Sequence, residues 1–351
     1  MSVSRVAAAQ ALIELGQYGS VIDVRSPSEF ALDHLPGAVN WPVLDDEERR
    51  IVGTLYKQVS PLKARQVGAP MVARNIARHI ERDVLERPRE WRPLVYCWRG
   101  GQRSGAMAWF LGQVGYRTAQ LDGGYKAFRS ALRADLDKCV AALRWTVVCG
   151  RTGSGKTRLL HALGDEGAQV LDLEALACHR GSVLGGLPAQ PQPAQKRFDT
   201  LVWEQLRRFD PARPVFVESE SRKIGALLVP ETLSERMRSH GECVFVEMPA
   251  EARVRLLLDD YGHFAADVDA FCRQLDGLVV LRGRAVVKAW QAAAREGRWA
   301  GLFAELMAQH YDPLYDRSMQ RSFDGLRAPR QLVLANHDTA TLAAAARSLL
   351  A

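Results

Sequence analysis

Short apolar runs alternate with longer stretches of helical periodicity along the chain. In the first third, Val21–Val24, Leu94–Tyr96 and Thr118–Leu121 read as strands, while Met71–Ile80 and Gly105–Leu111 have helical spacing. The opening MSVSRVAAAQALIELGQYG has the spacing of an amphipathic helix. Strand and helix in alternation predict a small parallel α/β sheet. That pattern stops at Asp122–Lys126, and Ala127–Leu143 reads as a charged helix leading to a new strand, which places a first domain at residues 1–135 and a second at 136–351.

The second part repeats the rhythm. Trp145–Cys149, Gln169–Leu173, Pro214–Glu218, Glu242–Glu247 and Gln331–Ala335 predict a doubly wound sheet of five strands. Residues from about 251 to 325 are helical in pattern and rich in arginine, a candidate helical subdomain. Pro188–Gln195 reads as a short Pro-rich loop.

A length of 351 residues suits two domains, and 47% hydrophobic with 25% charged residues fits compact cores. No apolar stretch approaches the roughly 20 residues that span a bilayer, and no cleavable signal pattern opens the chain. No membrane role and a cytoplasmic location are expected. Lys and Arg outnumber Asp and Glu by 47 to 40, for a net charge of +7. That balance favours a polyanionic partner without naming one. The six cysteines are scattered, with no CxxC pair and no zinc-like cluster. Five look like small core residues; Cys97 does not.

The strand at Trp145 runs into Gly150-Arg151-Thr152-Gly153-Ser154-Gly155-Lys156-Thr157, and a helical run follows. This is a P-loop in strand-loop-helix context. Its glycines let backbone N–H groups ring a phosphate, Lys156 neutralises phosphate oxygens and Thr157 offers its hydroxyl to Mg²⁺. The cradle reads a di- or triphosphate and leaves the rest of the ligand open, with ATP as the default. Asp172, Glu174, Glu218 and Glu220 fall at the ends of predicted strands, either to position Mg²⁺ or an attacking group or merely to cap helices. Arg222, Lys223 and His179-Arg180-Gly181-Ser182 are either phosphate or RNA contacts or solvated surface.

The other anion loop is Cys97-Trp98-Arg99-Gly100-Gly101-Gln102-Arg103-Ser104. A thiol attacks as its thiolate, which positive charge and inward N–H groups favour. Gly100 and Gly101 permit the tight turn, Arg103 is placed to close it, and Ser104 begins a helix whose dipole faces the sulfur.

Here the chain resembles a known family. Asp23-Val24-Arg25-Ser26-Pro27-Ser28-Glu29-Phe30 and His34-Leu35-Pro36-Gly37-Ala38-Val39-Asn40 are similar to the signature of rhodanese domains. That resemblance implies that Cys97 carries a transferable chalcogen, with Asp23 and Arg25 supporting the fold and loop. Arg103 stands six positions after Cys97, whereas ordinary sulfurtransferase loops use five. Rhodanese-type phosphatases share the wider spacing, so a cysteine phosphatase or a sulfurtransferase fused to a nucleotide-binding domain is the competing reading.

A rhodanese-like domain followed by a P-loop domain is more restrictive than either alone. CWRGGQRS, LDGGYKAFR, GRTGSGKT, LDLEALACHRGS and VESESRKIG, in this order, resemble the landmarks of the tRNA 2-selenouridine synthases. The resemblance implies a rhodanese-like parallel-sheet domain joined to a P-loop NTPase-like doubly wound domain. It also implies replacement of sulfur by selenium in the 2-thiouridine at the tRNA wobble position. The implied route alkylates the sulfur with geranyl diphosphate first, its diphosphate in the P-loop; selenophosphate is then expected to supply selenium near Cys97. The anticodon arm of tRNA is the implied partner. Arg253, Arg255, Arg282 and Arg284 are candidate backbone contacts, and Trp98 and Arg99 either clamp the extruded base or pack against protein.

Overall fold

The computed structural model describes residues 3–182, 184–186, 190–319 and 322–351. Pro188 and Ala189 of the predicted Pro-rich loop lie outside the described residues. The chain divides into two compact units: Met1–Leu136 with Asp199–Glu204, and Asp137–Phe198 with Gln205–Ala351.

The first unit is built on a parallel sheet of β1 (Ser4–Val6), β2 (Ser20–Asp23), β3 (Ala38–Asn40), β4 (Pro93–Tyr96) and β5 (Ala119–Leu121), ordered β1-β5-β4-β2-β3. β4 is central, and all four of its residues are buried. Around it Ile22, Val24, Trp41, Ile76, Met107 and Leu111 form the core. Helices from both sides cover such a sheet, which is why its inner strands read as continuous apolar runs. The amphipathic helix expected from the first residues is replaced at Ser4–Val6 by β1, paired with β5 through Val6 and Leu121; the helix begins only at Ala8. Backbone pairing at an open sheet edge overrides helical spacing in so short a run.

The second unit carries β6 (Arg144–Cys149), β7 (Gln169–Leu171), β8 (Pro214–Glu218), β11 (Glu242–Glu247) and β12 (Arg330–Val333), all parallel and ordered β12-β11-β6-β8-β7. A small antiparallel hairpin joins β9 (Lys223–Ile224) to β10 (Leu227–Leu228). β6 lies in the middle, so the loop after it opens at the carboxyl end of the sheet, where parallel α/β folds bind ligands. Helices Ala250–Tyr261, Val268–Asp276, Arg284–Arg295 and Trp299–Leu306 surround their own core of Phe271, Leu275, Trp290, Phe303 and Leu306. Among the described residues no helix is long and apolar enough to cross a membrane.

Candidate active sites

Cys97 follows β4 directly and is 3% exposed. The chain turns at Gly100, whose φ of +64° suits glycine; a Cβ there would stand 2.5 Å from the Leu121 carbonyl oxygen. The loop then enters the helix Gln102–Val114. Its carbonyls are held from below: Cys97 O accepts from Tyr125 N at 2.8 Å and Trp98 O from Lys126 N at 3.0 Å. Gln120 Nε2 donates to Gly100 O at 2.7 Å and Gly101 O at 3.3 Å. These bonds to four carbonyls fix the path of the loop around Cys97.

Ser104 Oγ donates to Cys97 Sγ at 3.2 Å, and Gln120 Nε2 donates to Ser104 Oγ at 2.9 Å. Gln120 escaped the sequence reading because it sits on β5, brought to the loop only by strand pairing. Arg103 points to a second unforeseen residue: its Nη1 donates to Glu29 Oε2 at 2.7 Å. Glu29 also accepts from Ser26 N at the start of its own helix. Burial works to raise the Glu29 carboxyl, but the hydrogen bond and charge of Arg103 outweigh it and hold the group below the usual carboxylate range.

Asp23 and Arg25 form a buried pair, with Arg25 Nε 3.0 Å from both carboxylate oxygens and Nη2 2.6 Å from Oδ2. Arg25 Nη2 also donates to Asp33 O, and the guanidinium lies 4.0 Å from the centroid of the Tyr125 ring. Because the Tyr125 N–H holds the Cys97 carbonyl, this pair braces the active loop from beneath. Trp98 is half-buried, with its ring 5.4 Å from that of Tyr125, the packing alternative; Arg99 is exposed.

In the second unit, Gly150, Gly153 and Gly155 all have positive φ, so the loop from Gly150 to Thr157 coils tightly before the helix Lys156–Asp165. Lys156 Nζ donates to Arg151 O at 3.3 Å, within the curl of the loop. Thr157 Oγ1 donates to Glu218 Oε1 at 2.6 Å, tying the P-loop helix to the end of β8. Carboxylate oxygens of Glu174, Glu218 and Glu220 lie within 4.8 Å of one another. Burial first, and then mutual repulsion, push Glu174 up to about 10 and Glu220 up to about 7. Burial also raises Glu218, against the pull of Lys156 and Thr157. Gly181 lies against this cluster, where a Cβ would come within 2.6 Å of Glu174 Oε1 and 3.0 Å of Glu220 Oε2.

Several expected contacts take other roles. Asp172 caps the helix Leu173–Ala177 through Ala175 N at 2.8 Å and meets His161 Nε2 at 2.7 Å. Arg253, a candidate RNA contact, is buried: it donates to Thr152 O and pairs with Asp312. Arg282 is spent on His310, through Nδ1 at 3.0 Å and its carbonyl at 3.2 Å. Arg180 donates to Asp260 O at 2.6 Å. Arg255 and Arg284 remain exposed, as do Arg222 and Lys223. Sequence reasoning missed Tyr315, whose hydroxyl accepts from Gly150 N, and Asp316, which pairs with Arg151 at 2.8 Å. Both come from a helix far along the chain, and no local signal marks them. Beside them a cavity of about 630 Å³ opens between Ser154, Met248, Tyr315 and Val333.

A rhodanese-like cysteine loop and a P-loop with an acidic cluster thus occur on two parallel α/β units of one chain. Residues 6–131 match the family model of the rhodanese-like domain, and residues 143–281 that of the tRNA 2-selenouridine synthase AAA domain. A tRNA 2-selenouridine synthase of a Sulfurovum species is 33% identical over 338 residues, covering 86% of this chain and 89% of that protein. The tRNA 2-selenouridine synthase of Nitrosomonas europaea is 38% identical over 69% of this chain, a match that spans 63% of the relative's length. Among solved structures, a rhodanese-related protein from Thermoplasma volcanium aligns at 19% identity over 36% of this chain and 91% of its own, with a TM-score of 0.24. The chain belongs to the tRNA 2-selenouridine synthase family.

Proposed function

We propose that this chain replaces the sulfur of wobble 2-thiouridine in tRNA by selenium, in two steps that use its two anion loops separately. The observation that carries the proposal is that both loops are complete: Cys97 with its Ser104 hydrogen bond, and the P-loop with Lys156 and the Thr157–Glu218 bond.

In the first step geranyl diphosphate alkylates the thiocarbonyl sulfur. The C1–O bond of the geranyl group breaks, a C1–S bond forms, diphosphate leaves and the base loses its N3 proton. The backbone of Gly150–Thr157 and the Lys156 ammonium receive the charge that collects on the departing diphosphate, where fixed dipoles and charge stabilise the transition state most. An all-oxygen donor set of Thr157 and Glu218, with Glu174 and Glu220 beside it, fits Mg²⁺. Such an ion would neutralise the acids and the diphosphate together.

In the second step the selenium of selenophosphate attacks C2 and the geranyl thiolate leaves, a better leaving group than the original thiocarbonyl sulfur; water then cleaves the Se–P bond, phosphate is released and the base regains its N3 proton. Cys97 takes part as the selenium-handling thiolate, and the six-residue spacing to Arg103 leaves room for a tetrahedral phosphoryl end. The charge of +7 and the exposed Arg255 and Arg284 suit a tRNA backbone. The test is to incubate the chain with 2-thiouridine tRNA, geranyl diphosphate and selenophosphate and to analyse the nucleosides by mass spectrometry. S-geranyl and seleno products are expected; recovery of 2-thiouridine alone, with phosphate ester hydrolysis at Cys97, would favour a phosphatase.

A further inference from the structure

Ser104 Oγ carries one hydrogen and has two acceptors in reach, Cys97 Sγ at 3.2 Å and Gly101 O at 3.3 Å. Which one receives it decides whether the sulfur has a hydroxyl donor. The Gln120 side chain sets the choice. Its Nε2 is surrounded by three oxygens: Gly100 O at 2.7 Å, Ser104 Oγ at 2.9 Å and Gly101 O at 3.3 Å. Turned over, the amide would set its own oxygen against two carbonyls, so the amide group faces them with its hydrogens. Its two hydrogens go to the nearer pair and fill a lone pair of Ser104 Oγ, while Gly101 O already accepts from Gly105 N at 2.9 Å. The Ser104 hydrogen is left for the sulfur.

Ser104 is fully buried, and Cys97 and Gln120 are nearly so. In such surroundings a hydrogen bond to an anion is stronger than one between neutral groups. We infer that Gln120 is a positioning residue for Cys97: through Ser104 it aims a hydroxyl hydrogen at the sulfur and favours its anionic, reacting form. The inference rests on Cys97 being the reacting sulfur of the proposed function.

The test is alkylation of the full chain by iodoacetamide, followed at the Cys97 peptide by mass spectrometry from about pH 5 to 9. Ser104→Ala should slow alkylation near neutral pH about tenfold and move the rate–pH profile to higher pH. Gln120→Leu should slow it severalfold in the same direction, and Ser104→Thr, which keeps a hydroxyl, should stay near the parent. In the Ser104→Ala background, adding Gln120→Leu should bring no further slowing, because the effect passes through the hydroxyl. A profile unmoved by Gln120→Leu, or equal slowing with and without Ser104, would overturn the inference. Should Gln120→Leu fail to fold, Gln120→Met, of nearly the same length and without a donor, carries the same prediction. Alkylation needs neither tRNA nor selenium, so the two readings fail separately. The predicted shift in a chain that makes no selenouridine refutes the proposed function alone; an unmoved profile in a chain that makes it refutes the relay alone.

Discussion

Arg253 and Thr152 are joined by two hydrogen bonds, Nε at 2.9 Å and Nη2 at 2.6 Å from the same backbone carbonyl. Asp312 holds the other side of the guanidinium, with Nη2 2.6 Å from Oδ1. The charge therefore shapes the P-loop and is withdrawn from RNA. Arg253→Ala leaves Asp312 without this partner and should destabilise the second unit by about 3–5 kcal/mol. Binding of inorganic diphosphate should fall at least tenfold, while tRNA affinity in a filter-binding assay changes less than twofold. Arg255→Ala and Arg284→Ala should do the reverse, weakening tRNA binding and flattening its salt dependence. A loss of tRNA affinity confined to Arg253→Ala would contradict this division.

Gly100→Ala tests the cysteine loop. The φ of +64° strains any side chain, and the added Cβ would press on the Leu121 carbonyl. A cost of about 2 kcal/mol or more follows, with the loop displaced around Cys97. Selenation should be lost while S-geranyl nucleoside still accumulates, both read by mass spectrometry. Normal selenation in this variant would mean that the loop geometry does not matter.

The acidic cluster makes a prediction about pH. Glu174 is raised from 4.5 to about 10, so folding takes up a proton there. Stability from such a group is complete below about pH 4.5 and is lost as the pH rises through the folded value. Glu174→Gln removes that dependence. In metal-free buffer the variant should melt a few degrees above the parent near pH 8, and the difference should vanish towards pH 5. A difference independent of pH would place the carboxylate outside the cluster's electrostatics.

What could be read from sequence follows from how local each feature is. β4, β6 and β8 bury most of their residues and β11 half of its own, and all four stand out as apolar runs. β1 and β3 have three residues each and no fully buried position, so their pairing is visible only in three dimensions. The P-loop and the cysteine loop are contiguous, and contiguous glycines with a charged residue announce themselves. Glu29, Gln120 and Tyr315 are ordinary residues until the fold sets each against a loop it does not adjoin in sequence. Arginine misleads most: Arg253 and Arg282 carry the charge of a surface contact and spend it on internal carbonyls and acids.

The proposed division of labour gives each loop its own step on one base. It is tested most directly by giving Cys97→Ala and Lys156→Ala the same 2-thiouridine tRNA, geranyl diphosphate and selenophosphate, and then measuring nucleosides by mass spectrometry. Cys97→Ala should accumulate S-geranyl-2-thiouridine without selenouridine, and Lys156→Ala should return 2-thiouridine with no geranyl product. Loss of geranylation in Cys97→Ala, or unchanged geranylation in Lys156→Ala, would rule that division out.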